Sequence, residues 1–205
     1  MIKACLSIAV TSTKLKAACD EIGHSAFVVP LNTQFAKRAN EQGAELVICD
    51  LKDDFEGLRE AKNAVRWFNL PAIVVSETDD EAIRTKVGST SVSECLFLPY
   101  SIEELRPIIA RTMTRHYRET EKLAQGILMG QYRLTENESY KRLQEDASKT
   151  GATLYEQALE VIKAAEDDAR QLEKNAEEPW SGADEALRGS GSGHLRGPTS
   201  GKGQK

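Results

Sequence analysis

A five-stranded parallel α/β domain followed by an all-α region is the architecture this sequence predicts, and three observations predict it. Short apolar, β-rich runs alternate with helically spaced segments through the first hundred residues. Strand-like runs stop at Ser101, after which helical spacing continues to about Asn175. Gly and Ser then become frequent, and periodicity is lost from Pro179 onward.

In order, the strand runs are Cys5–Val10, Ala26–Val29, Leu46–Cys49, Ala72–Val75 and Cys95–Leu98. Between them Leu15–Ile22, Thr33–Gln42, Gly57–Phe68 and Asp79–Val87 recur with helical spacing. Parallel neighbours need crossover connections and bury both faces of the sheet. The predicted class is therefore a flavodoxin-like, doubly wound parallel sheet. Ser101 with Glu104 makes a capping box that opens a helix through Met129, with Pro107 as an early irregularity. A turn near Arg133 and Leu134 leads to a second N-cap, Thr135 with Glu138, and a helix to about Lys149. Gly151 closes that helix, because glycine tolerates left-handed backbone. Thr153 caps a third helix to about Asn175, with Leu154, Ala158, Val161 and Ala165 on one face. Its second half, Ala164–Lys174, is mostly charged residues and alanine, which suits a solvated extension or a weak coiled-coil arm. The remainder has too little apolar surface to offset ordering entropy and reads as a flexible tail. The expected organisation is 1–110, 111–175 and 176–205.

No region is strongly basic: 11 basic side chains face 14 acidic ones in residues 1–100, 10 face 10 in 101–165, and 6 face 8 in 166–205. Coating of nucleic acid by charge alone is excluded, so any nucleic-acid reading needs a local patch. The apolar stretch Ala4–Val10 is far short of the ~20 residues that span a bilayer. It also lacks a convincing signal-peptide cleavage site, so a cytoplasmic protein without membrane contact is expected. Cys5, Cys19, Cys49 and Cys95 lie far apart, form no Cys-x-x-Cys pair, and read as buried free thiols. His24, His116 and His194 fall in unrelated contexts, and neither a phosphate loop nor a Gly-x-Ser-x-Gly elbow occurs. No catalytic activity, cofactor or metal site is expected.

In folds of this class chemistry sits at the carboxyl ends of the strands. Asp50 closes the third strand run, Ser76 follows the fourth, and Leu98-Pro99-Tyr100-Ser101 ends the fifth. Over residues 1–110 this pattern resembles a response-regulator receiver domain. The resemblance implies that Asp50 is the phosphoacceptor equivalent and Ser76 the switch-hydroxyl equivalent. Thr11 and Ser12 stand where the family has metal-binding acids, and Leu98 where it has a lysine. Phosphoryl transfer depends on cations that neutralise the equatorial oxygens, and one carboxylate is a poor magnesium site. A degenerate domain follows, with Asp50 not phosphorylated at a useful rate. Asp53 and Asp54 read as solvated loop acids, and Ser76 equally as a locally hydrogen-bonded strand end.

The segment Ala124-Gln125-Gly126-Ile127-Leu128-Met129, followed by Ser139-Tyr140, Leu143, Ala147-Ser148 and Ala158, is similar to the ANTAR domain of AmiR- and NasR-like antitermination regulators. The resemblance covers about 115–165. Ser139 replaces a usual alanine, and its hydroxyl can bond back to the preceding turn. Ala124, Gly126, Ala147 and Ala158 read as small residues that let helices approach, and Leu123, Ile127, Leu128, Leu143, Leu154 and Ile162 as apolar filling. Met129 completes the motif. The resemblance implies a homodimer that binds paired stem-loops in leader mRNA and prevents formation of a terminator hairpin, under the control of a sensor or sequestering protein. The short connection between Leu105 and Ala124 leaves little room for a long dimer stalk.

Function must then lie on the outside of the helices. On an unbroken helix Arg111, Arg115, Arg118 and Lys122 fall in one stripe that can grip phosphate. A solvated face, partly neutralised by Glu119 and Glu121, is the alternative reading. Tyr132, Arg133 and Tyr140 are further RNA-binding candidates, since cationic and aromatic side chains read unstacked loop bases. Tyr140 also reads as a packing residue. Two other functions stand beside antitermination: a phosphorylation-dependent response regulator using Asp50, and a protein-docking module without RNA.

Overall fold

A computed structural model of the chain describes residues 2–7, 12–51 and 55–177. The elements are β1 (Lys3–Ser7), α1 (Ser12–Glu21), β2 (Ser25–Val29), α2 (Phe35–Glu41), β3 (Leu46–Asp50), α3 (Glu56–Phe68), β4 (Ala72–Ser76), α4 (Glu81–Gly88), β5 (Glu94–Phe97), α5 (Ile102–Tyr132), α6 (Glu136–Thr150) and α7 (Leu154–Glu177). All five strands are parallel, in the order β2-β1-β3-β4-β5. This is the flavodoxin-like order, and it accounts for the continuous apolar runs: β3 and β4 are buried from end to end.

Alternation along β3 sends side chains to two separate cores. Val47 and Cys49 pack with Phe35, Ala36 and Ala39 of α2 and Leu58, Ala61 and Ala64 of α3. Leu46 and Ile48 pack with Leu15 and Cys19 of α1 and Leu105, Ile109 and Met113 of α5. Cys19 and Cys49 are buried and outside any disulfide, whereas Cys95 is half-buried. β1 begins two residues ahead of the expected run because Lys3 pairs with Ser25, and residues 8–10 lie outside the described residues. α2 starts at Phe35, later than the spacing predicts, because Asn32 holds a turn there: its side chain accepts from the Gln34 amide at 3.0 Å and its carbonyl from the Phe35 amide at 2.9 Å.

Gly57 fixes how α3 leaves β3. Phe55 turns the chain with φ +56°, and a Cβ on Gly57 would overlap the carbonyl of Asp50. Gly57→Ala must push α3 away from the strand end, an overpacking cost of roughly 1–3 kcal/mol. The expected result is a lower urea midpoint at unchanged m; an unchanged midpoint would mean the approach is not constrained.

The described residues pack as two units, one ending at Lys122 and the other beginning at Leu123. The second unit contains the end of α5 with α6 and α7, around buried Ala124, Leu128, Leu143 and Ala158, with Leu154, Val161 and Ile162 against them. Its caps are those the residue types dictate. Thr135 and Glu138 form a reciprocal capping box, Gly151 closes α6 at φ +71°, and Thr153 with Glu156 repeats the box at α7. Ser139 is buried and donates its hydroxyl to the Glu136 carbonyl at 2.8 Å, which is how serine fits this position. Ala147 is buried as well.

Three residues of this segment differ from the core reading. Leu123 and Met129 are surface residues, and a Cβ on Gly126 would meet nothing within 4 Å, so Gly126 is not there for close helix approach. The reason is geometric: α5 presents a narrow face, Ala124 and Leu128, to α6 and α7. The expected tail from residue 178 onward lies outside the described residues. Among the described residues no helix is long and apolar enough to cross a membrane.

Candidate functional site

α5 runs unbroken through Leu105 to Met129, so Arg111, Arg115, Arg118 and Lys122 do share one exposed stripe. Its two halves differ. Arg111 Nε donates to Glu94 Oε1 at 2.9 Å, and Arg115 Nη2 reaches the same oxygen at 3.3 Å while its Nη1 donates to the Ser93 carbonyl at 3.2 Å. Glu94 opens the edge strand β5, so the first two arginines are tied to the sheet, and the bond to Glu94 raises the basicity of Arg111 further. Arg118 and Lys122 have no ion pair among the described residues.

The turn from α5 to α6 brings together a second group. α5 ends at Tyr132, Arg133 adopts φ +55°, and the Thr135 cap starts α6 at once. This reversal lays the Arg142 guanidinium over the Tyr132 ring, 3.6 Å from its centroid. Tyr132 is 50% exposed and Tyr140 39%, so neither ring is spent on the core. Asp146 orders the cations beside them: its carboxylate lies 3.8 Å from Arg142 Nε and accepts from Lys149 Nζ at 2.8 Å. Arg142 is the residue that sequence reading does not single out. Its only signal there is that it follows Tyr140 and Lys141, and nothing in the sequence places it on a ring ten positions earlier. Exposed aromatic faces flanked by guanidinium groups can stack on bases and pair with phosphates.

At the carboxyl edge of the sheet, Asp50 is buried at the end of β3, paired in register with Val75. Ser76 is buried, and its hydroxyl is taken up locally: it donates to the Thr78 carbonyl at 2.8 Å and accepts from the Thr78 amide at 3.2 Å. Leu98 and Tyr100 pack against the α1 and α5 side of the sheet. Burial, followed by the charges of Cys19 and Asp50, pushes the Tyr100 hydroxyl up to about 12, so it stays a neutral donor beside the aspartate's end of the sheet. Leu98 and Tyr100 also line a cavity with Lys14 and Glu77. Among the described residues no cluster of three or more His, Cys, Asp or Glu is placed to hold a metal ion. Thr11, Asp53 and Asp54 lie outside them.

Two histidines tie stability to pH. Burial lowers the pKa of His116, and burial followed by the N-terminal charge and Arg106 lowers that of His24, whose Nδ1 accepts from the Ile2 amide at 3.3 Å. A folded pKa below the unfolded value of about 6.5 means that the unfolded chain takes up protons first on acidification. Stability contributed by neutral His24 and His116 is thus full above that value and lost as pH falls through it toward the depressed pKa. His24→Gln and His116→Gln should each flatten this slope in urea titrations between pH 7 and 5; parallel curves would refute the assignment.

The first unit has the fold of a signal receiver domain. It is similar to the receiver domain of a modulated diguanylate cyclase from Desulfovibrio desulfuricans, with 14% identity and a TM-score of 0.52, covering 58% of this chain and 98% of that one. A response regulator from Chloroflexus aurantiacus matches at 13% identity and a TM-score of 0.50, covering 55% and 98%. NtrX from Brucella abortus, solved with ADP, matches at 15% identity and a TM-score of 0.51, covering 60% of this chain but 29% of that longer one. At such identities the likeness establishes the fold. Residues 116–162, which span the second half of α5, α6 and the start of α7, match the ANTAR domain, an RNA-binding antitermination module. No curated protein matches the chain in sequence. The chain thus joins a unit with the receiver fold to a segment that matches the ANTAR domain.

Proposed function

We propose that this protein is an AmiR- and NasR-like transcription antiterminator that binds stem-loops in leader mRNA as a cytoplasmic homodimer. In this reading residues 1–110 form the input unit and 111–175, which include the stripe on α5, the RNA-binding unit. The observation that carries it is the ANTAR match at 116–162, on helices that stack Arg142 on the half-exposed Tyr132 at the turn between α5 and α6 and leave Arg133 and Tyr140 exposed. Arg118 and Lys122 add phosphate contacts, while Arg111 and Arg115 hold α5 to Glu94. The test is a gel-shift titration against leader RNAs of the same genome at two salt concentrations, with matching DNA as control. Affinity that falls steeply with salt and selects paired stem-loops supports the reading. A folded protein without selective RNA binding overturns it in favour of protein docking.

The receiver-like unit works in this proposal as a degenerate domain, switched by a sensor or sequestering partner or by dimerisation. Leu98, where receivers carry a lysine, is packed against the sheet, and the Ser76 hydroxyl is engaged by Thr78. Acetyl phosphate with magnesium should leave Asp50 unlabelled over minutes. Rapid labelling that disappears in Asp50→Asn would instead establish a phosphorylation-dependent regulator, the reading that the position of Asp50 at the end of β3 favours.

A further inference from the structure

The receiver-like unit carries an exposed feature for which neither its fold nor its edge carboxylate has a use. Trp67, on the last turn of α3, is 65% exposed, while its neighbours Val65 and Phe68 pack into the core. The Arg66 guanidinium lies over its ring, 4.8 Å from the centroid. Lys62 stands one turn back and Arg59 two, so Arg59, Lys62, Arg66 and Trp67 share the broad exposed side of α3 over about 12 Å of its length. The acids of α3 do not cancel it. Glu60 is buried and taken up by Asn63 and Arg59, and Glu56 pairs with Arg59, which leaves Lys62 and Arg66 without an acidic partner among the described residues. α2, packed beside α3 on the same sheet face, adds Lys37 and Arg38 against Glu41.

We infer that this face of α3 is a second RNA contact, taking single-stranded RNA with a base stacked on Trp67 and phosphates on Lys62 and Arg66. The inference rests on the RNA-binding reading above. A tryptophan that anchors a protein partner sits within an apolar surround that excludes water. Trp67 has none on its own helix: the exposed residues beside it are Arg59, Lys62, Arg66 and Asn69. An aromatic face set among unpaired cations is the composition of a surface that binds single strands. Arg66 suits both roles, because its planar group can stay stacked on the indole or turn to a phosphate oxygen.

The experiment uses the full chain with Trp180→Phe, so that Trp67 is the sole tryptophan. The probes are a stem-loop RNA, the same stem-loop with a single-stranded extension of about 12 nucleotides, within the site sizes of single-strand-binding surfaces, and polyglutamate as a polyanion without bases. Anisotropy of labelled RNA reads total binding, and Trp67 emission reads contact at α3. The expected result is quenching by the extended RNA only, with Lys62→Ala/Arg66→Ala and Trp67→Ala each weakening its binding about tenfold while sparing the plain stem-loop. Binding of the extended RNA with unchanged Trp67 emission overturns this inference and leaves the antiterminator reading intact. Equal quenching by polyglutamate overturns it in favour of an acidic protein partner. Absence of binding to either RNA removes both readings.

Discussion

Leu143→Ala is expected to melt the three-helix unit far below the temperature at which the sheet unit unfolds. Leu143 is fully buried, in one cluster with the buried Ala124, Leu128 and Ala158. Truncating a buried leucine costs about 2–5 kcal/mol, the upper end applying where neighbours cannot collapse into the cavity. Two of these neighbours are alanines, which have no side chain to rearrange, so on their side the lost contact is not recovered. A small helical unit has little stability to lose, because it buries a smaller share of its surface than a larger domain. Amide exchange on the full chain checks this: protection should fall across α6 and α7 while β3 and β4 keep theirs. Retained protection in α6 would show that the cluster is not what holds the helices. RNA binding should be lost in parallel, since the Tyr132 and Arg142 pair exists only while α6 is docked against the end of α5.

What could be read from the sequence, and what could not, follows from how far apart the cooperating residues lie. Parallel strands buried on both faces advertise themselves as continuous apolar runs, so β3 and β4 were legible almost to the residue. Capping chemistry is equally local: Ser101 with Glu104, Thr135 with Glu138 and Thr153 with Glu156 each act across three positions. The unread features are all non-local. Glu94 takes Arg111 and Arg115 out of the free stripe from 17 and 21 positions away, which no charge pattern within α5 reveals. The close approach of Gly57 to the Asp50 carbonyl depends on the path of the intervening loop. Leu123 and Met129 read as core because helical spacing identifies a face without saying how wide the contact on it is.

The largest functional effect is expected at the Tyr132 and Arg142 pair, and the way it fails should identify what each partner does. Arg142→Ala removes one cation and one planar group, so affinity for the stem-loop should fall about tenfold or more and the salt slope should lessen by about one. Tyr132→Ala should lower affinity by about fivefold to a hundredfold with the slope unchanged, because an aromatic ring contributes stacking without releasing counterions. Arg142→Lys separates the two contributions: lysine keeps the charge but not the flat guanidinium, so the slope should return while much of the affinity stays lost. The ring and the guanidinium are in direct contact, so the double variant should lose less than the product of the single losses. Tyr132 lies at the exposed end of α5 and Arg142 on the surface of α6, so helicity measured by circular dichroism should be unchanged in all four proteins. If instead Arg142→Ala binds normally while Arg118→Ala/Lys122→Ala abolishes binding, the α5 stripe is the interface, and the turn between α5 and α6 serves only to fold the unit.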